Sequence, residues 1–188
     1  MIGLMSARIE PAEPPFVPEV QAVLDRLPRS WMPPFRLFTT LARDMRLFQR
    51  FTRGGLIDLE NGNITLRQRE VLLDRVTALC AREYEWGLRI HYFARDAGLT
   101  DEHVRATVHG RASEACWSPE DRLLVRLADE LHASCDVSDA LWNELRAAFS
   151  EKARMEFLLL AGFYRTVSYI ANGLRLPLEP HAVRFPNK

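Results

Sequence analysis

The run from Thr65 to Leu99, TLRQREVLLDRVTALCAREYEWGLRIHYFARDAGL, holds one helical period for longer than any other part of the chain. Apolar residues recur at Leu72, Val76, Leu79, Trp86, Ile90, Phe93 and Ala97, the three-and-four spacing of a helix face turned toward a core. Thr65 with Gln68 makes a capping-box pattern at the start, and Gly98 suits a helix C-terminus. Thr100 then reads as the next N-cap. The stretch is expected to form a core helical hairpin or a kinked helix, with any chemistry placed along it. One position breaks the period: Glu83 falls where an apolar residue is due.

On a helical wheel at about 100° per residue, Glu70, Arg82, Glu85 and Arg89 fall within roughly 120° of one another. Arg82 with Glu85, and Glu85 with Arg89, have the spacings at which helical side chains touch. These four residues fit either a solvated ion-pair ladder or a site. If its periodic position buries Glu83, its pKa must rise or it must find Arg or His partners. A carboxylate with a raised pKa serves as a general acid or base; the same residue could equally anchor structure, hydrogen-bonded to a tyrosine or a helix end. His91 lies on another side and shares a face with Cys80. About 16 Å separates those two along a straight helix, too far for a thiol–imidazole pair unless the helix breaks. Cys80 reads as a small buried hydrophobe or a single reactive thiol. Tyr84, Trp86, Tyr92 and Tyr164 read as core or as walls of a cavity for an aromatic or lactone-like molecule.

The rest of the chain is also helical in pattern. Residues 1–30, with four prolines among the first 18, are expected to be an extended arm with a short helix. Phe35 to Phe51 is expected as one helix stopped by Gly54-Gly55, and Asn61-Gly62 signals a turn. Thr100, Ser118 and Ser138 open further helices, and Ser150 or Glu151 opens the last long one, ending near Asn172-Gly173. Its run FLLLAGFY at 157–164, bounded by Glu156 and Arg165, is too short for a membrane span and is expected to be a buried core helix. His132 sits near a helix C-terminus, where it complements the dipole. No stretch alternates with period two over a useful length, so the class is all-α, with no sheet.

Composition narrows the function. Lys plus Arg and Asp plus Glu both number 25 and are interleaved, so no field attracts nucleic acid or an anionic membrane. Three cysteines without short paired spacing argue against a disulfide framework or a zinc site and point to the cytoplasm. The chain carries no phosphate loop, dinucleotide fingerprint or metal-ligand spacing, so no cofactor or metal is expected.

The segment REVLLDRVTALCAREYEWGLRIHYFARDAGL resembles the carboxymuconolactone decarboxylase family, which includes the alkylhydroperoxidase D-like proteins. LFTTLARDMRLFQRF upstream is similar to that family's first long helix, and WSPEDRLLVRLADELH, VSDALWNEL and FYRTVSYIANGLRLPLEP to its last three helical segments. The resemblance covers roughly residues 31–180 and leaves 181–188 as a tail. It implies an alkylhydroperoxidase D-like helical bundle, a homo-oligomer and a small-molecule substrate. The redox members carry a glutamate, a Cys-x-x-Cys pair and then a histidine. Here the glutamate falls on Glu70, while the cysteines fall on Arg82 and Glu85 and the histidine on Arg89. A dithiol peroxidase needs two thiols, so peroxidatic chemistry does not carry over residue by residue. The decarboxylase-type members place a carboxylate near the second-cysteine position, which Glu85 resembles; they keep the histidine, which this chain lacks. Three functions follow. The first is a cofactor-free decarboxylase or lyase in which Glu70, Glu83 or Glu85 shuttles a proton. There Arg82 or Arg89 holds a substrate carboxylate beside Tyr84, Trp86 and His91. The second is a peroxiredoxin-type oxidoreductase using Cys80 as its single thiol. The third is a catalytically silent ligand-binding oligomer.

Overall fold

The structure, a computed structural model, describes residues 7–53, 62–81 and 83–187. Arg82, the Gly54-Gly55 stop and Asn61 of the expected turn lie outside the described residues. The helices are α1 (Pro18–Leu24), α2 (Arg36–Leu41), α3 (Met45–Arg53), α4 (Leu66–Leu79), α5 (Glu83–Phe93), α6 (Asp101–His109), α7 (Pro119–Ser134), α8 (Asp139–Ala148) and α9 (Glu151–Leu174), with a 3-10 turn at Arg29–Trp31. The molecule is all-α, and no strand occurs among the described residues.

Side chains that close orphan backbone groups set the helix starts. Thr65 and Gln68 cap α4 reciprocally, with Oγ1 accepting from Gln68 N at 3.2 Å and Gln68 Oε1 from Thr65 N at 2.9 Å. Ser118 and Asp121 do the same for α7, at 3.1 Å in both directions. The hydroxyls of Ser138 and Ser150 accept from Leu141 N and Ala153 N at the starts of α8 and α9. The single helix expected from Phe35 to Phe51 is instead two. The Asp44 carboxylate accepts from Leu47 N at 3.1 Å, so Asp44 acts as a new N-cap and the chain bends between α2 and α3.

Helix α4 is the hub, packed on α5, α6, α7 and α9. It runs parallel to α7: Arg67 pairs with Asp121 at 2.8 Å and Arg75 with Asp129 at 2.7 Å, both at a separation of 54 residues. Val71, Leu72, Val76, Leu124, Leu127, Ala128, Leu145 and Phe157 fill the core on this side. A second core gathers Leu24, Phe35, Phe38, Phe48, Leu88 and Val167. The arm packs onto the second core's side, with Arg8 N donating to Leu174 O at 2.8 Å and Ala12 N to Thr39 O at 3.2 Å.

Helix α5 lies between the two cores and is buried on nearly every side, so its wheel has three working faces. Trp86 and Ile90 turn to the first core. Tyr84, Glu85, Leu88, Arg89, Tyr92 and Phe93 line a cavity. Glu83, Gly87 and His91, four residues apart, meet the C-terminal tail. Phe185 N donates to Glu83 Oε1 at 2.7 Å and Arg184 pairs with Oε2 at 2.9 Å. Val183 N donates to Gly87 O at 3.1 Å, and the His181 ring lies 4.9 Å from His91. Four helical residues rise about 6 Å and two extended residues span about 6.6 Å, so an extended strap keeps register along the helix. A Cβ at Gly87 would run into the Val183 carbonyl, which is why this face carries a glycine.

The FLLLAGFY run is buried on one side only. Phe157, Leu160 and Ala161 are in the core, but Leu158 and Leu159 are 36% and 60% exposed, so the expectation of a wholly buried helix is corrected. Among the described residues no helix is long and apolar enough to cross a membrane.

Candidate active site

The turn at Cys80–Ala81, where Ala81 takes φ +57°, folds α5 back along α4. In one straight helix Glu70 and Arg89 would stand about 28 Å apart. In the hairpin, Arg89 Nη2 donates to both Glu70 carboxylate oxygens at 2.6 Å. Arg69 Nε donates to Glu70 Oε1, also at 2.6 Å. Two further carboxyls flank Arg89: Glu85 Oε1 lies 3.8 Å from Nη1 and Asp74 Oδ1 3.8 Å from Nε. The guanidinium of Arg89 stacks over the Tyr164 ring at 4.5 Å and that of Arg69 over Phe93 at 4.9 Å.

Water is excluded from most of this cluster. The side chains of Glu70, Asp74 and Arg89 are 0%, 1% and 3% exposed, and that of Glu85 is 13% exposed. The ionisation states follow from burial and from the order of charges. Burial pushes the Asp74 carboxyl well up from its ordinary range, and the Glu70 charge adds to this against the pull of Arg89. Neither Asp74 oxygen, nor Arg89 Nε, has a hydrogen-bond partner among the described residues. Burial also raises Glu85, to about 7, with Arg89 opposing the rise and Glu70 adding to it. For Arg89, burial would lower the pKa, but Glu70, Tyr164, Asp74 and Glu85 together hold it above its ordinary value. Glu70 thus anchors Arg69 and Arg89, burial disfavours the charged form of Asp74, and Glu85 is the group that changes charge near neutrality.

Above this floor opens a cavity of about 670 Å³, its mouth included. Trp31, Phe35, Phe38, Phe51 and Phe163 form apolar walls, and Arg69, Glu85 and Arg89 supply the polar end. Among the described residues, the two terminal nitrogens of Arg69 have no acceptor, so they remain donors for a ligand. Tyr84, 3% exposed, is pinned on the wall: its hydroxyl accepts from Leu37 N at 2.9 Å and donates to Glu179 at 2.7 Å. Burial and the Glu179 charge raise its pKa well above the ordinary value. The arrangement can hold a flat apolar molecule with an anionic end against the arginines, with one carboxyl placed to give or take a proton.

Among the residues singled out from sequence, Glu70, Glu85 and Arg89 converge here and Tyr84 walls the cavity. Glu83 does not join them; its carboxylate is taken up by the strap, accepting from Phe185 N and pairing with Arg184. Trp86 faces the first core, donating Nε1–H to Thr107 Oγ1 at 3.0 Å. His91 is exposed beside His181. Cys80 is the half-exposed cap of α4 and does not line the cavity. Arg82 lies outside the described residues. Sequence reasoning missed Arg69 and Asp74. Asp74 had a signal, since it stands one turn after Glu70 in a buried stretch; Arg69 had none, as arginine beside glutamate is common on solvated helices.

No family model matches the chain, and no curated protein matches it. Among the solved structures that resemble it is a protein of unknown function from Agrobacterium tumefaciens, described as a candidate AhpD antioxidant defence protein. The likeness has a TM-score of 0.57 at 14% identity and covers 84% of this chain and 95% of that one. The fold is AhpD-like. At that identity the resemblance extends to helical architecture and not to activity.

Proposed function

We propose that the protein is a cofactor-free enzyme of the carboxymuconolactone decarboxylase type. In this reading it moves a proton on a small aromatic or lactone-like substrate that carries a carboxylate. The observation that carries it is Glu85, a nearly buried carboxyl on the wall of an aromatic cavity whose pKa of about 7 leaves both protonation states populated near neutrality.

The residues divide the work. Arg69 offers its unengaged nitrogens to the substrate carboxylate, a bidentate match. Glu70 holds Arg69 and Arg89 in place through 2.6 Å bonds and so fixes the polar end of the cavity. Glu85 takes or gives the proton at the carbon beside the carbonyl. Asp74, beyond Arg89, is pushed toward its neutral form by burial and by the Glu70 charge, which limits the negative charge of the cluster. The thiol alternative has less support, since Cys80 stands outside the cavity lining.

The test is proton exchange in deuterated water, followed by proton NMR over a panel of aromatic carboxylic acids and carboxylated lactones. The wild type should exchange or convert at least one of them. Glu85→Gln should slow that reaction by about 100-fold or more, and Arg69→Ala should weaken binding. Undiminished turnover in Glu85→Gln would overturn the reading, and loss of turnover with Cys80→Ser alone would favour the thiol.

A further inference from the structure

Tyr84, Tyr92 and Tyr164 all line the cavity, and their hydroxyls differ in what they already hold. The Tyr84 hydroxyl is taken by Leu37 N and Glu179. The Tyr92 hydroxyl meets Ser30 O at 3.0 Å and His181 Nε2 at 3.1 Å. Both therefore tie the cavity wall to neighbouring chain. On Tyr164, in α9, the backbone carbonyl accepts from Ser168 Oγ at 2.9 Å, while the phenolic O–H has no acceptor among the described residues. Arg89, whose guanidinium stands 4.5 Å from the Tyr164 ring centroid, can only donate, so it leaves the phenolic proton free. A phenyl ring would stack under Arg89 as well, so the stack does not account for the hydroxyl. Burial raises the Tyr164 pKa, with Arg89 opposing the rise and the Glu85 and Glu70 charges adding to it, and the phenol keeps its proton at neutral pH. Glu85 flanks the same guanidinium, 3.8 Å from Nη1.

We propose that Tyr164 is a second catalytic residue, its hydroxyl donating to the carbonyl oxygen of the substrate while Glu85 works at the neighbouring carbon. The inference rests on the reading of Glu85 as the proton carrier. As the Glu85 carboxylate takes the proton, the C–H electron pair becomes a C=C bond. The carbonyl π pair moves onto oxygen, giving an enolate. That oxygen gains its charge inside an apolar cavity, where a donor fixed in advance stabilises it most. Return of the proton to carbon reverses each step, and in deuterated water the carbon comes back labelled. With Arg69 holding the carboxylate and Tyr164 the carbonyl, the substrate class narrows to acids that carry a ketone or lactone carbonyl apart from the carboxylate.

Tyr164→Phe tests the proposal, because it keeps the ring and its stack on Arg89 and removes one oxygen. In deuterium exchange over a panel of keto and lactone acids, the variant should lose about 100-fold or more in kcat, with KM nearly unchanged. Nitro-hydroxybenzoates with the carboxylate meta or para to the phenol give a readout that needs no turnover, since their phenolate oxygen stands in for the enolate. Bound to the wild type, at least one of them should ionise at lower pH than when bound to Tyr164→Phe, as followed by nitrophenolate absorbance. Undiminished kcat in Tyr164→Phe, or equal ionisation of the probes on the two proteins, would overturn the proposal and leave the Glu85 reading in place. A wild type that exchanges none of the acids would overturn both.

Discussion

At the scale of single residues the site is a problem of charge accounting in a dry place. Two guanidiniums and three carboxyls share it, and burial decides which acids ionise. Folded Glu85 holds its proton to about pH 7, while the unfolded chain releases it near 4.5. Across that window the unfolded state binds fewer protons, so stability falls as pH rises. The contribution is complete below the unfolded pKa and gone above the folded one, a change of about 3 kcal/mol. Glu85→Gln should abolish it. The difference in unfolding free energy between variant and wild type, from urea titrations at pH 5 and pH 8, should shift by that amount in favour of the variant. A constant difference would show that Glu85 titrates normally. Glu70→Gln acts differently, because it strands Arg89 in the interior and should cost about 3–5 kcal/mol in the same titrations. Glu70, Glu85 and Arg89 were legible as a group because their wheel positions agree across the break. Asp74 was obscured by its setting in an ordinary helical heptad, and Arg69 by its neighbour in sequence.

At the scale of elements, helix existence was readable and helix continuity was not. Periodicity carries through a break when the residues on either side keep phase, as Leu72, Val76, Trp86 and Ile90 do, so the expected hairpin or kink could not be placed at Ala81 from spacing. Asp44 is another such case, an N-cap in the middle of an apolar pattern. The consequence for function is the fate of Glu83, which pins the strap and leaves proton chemistry to Glu85. Glu83→Gln should therefore increase amide exchange over residues 181–187, measured by mass spectrometry, without altering ligand binding in the cavity. Gly87→Ala should displace the same strap more severely, costing about 1–3 kcal/mol in thermal or chemical unfolding through the clash with Val183. If Glu83→Gln weakened ligand binding while exchange in the tail stayed unchanged, the division of roles between the two glutamates would be wrong.

At the scale of the molecule, an AhpD-like helical fold encloses a cavity with Arg69, Glu85 and Arg89 at its polar end, set on buried Glu70. The ring-lined walls come from α2, α3, α5 and α9, so the cavity depends on the whole bundle, and no short motif reports its shape. That is why a fold class could be read from spacing while the hollow could not. The central claim is that Glu85 exchanges its proton in the neutral range inside that hollow. Carbon-detected NMR of protein labelled at the glutamate side-chain carboxyl, titrated with pH and assigned with Glu85→Gln, measures this directly. The account predicts a resonance, missing in the variant, that titrates with a midpoint of about 7. A midpoint near the ordinary 4.5 would contradict it.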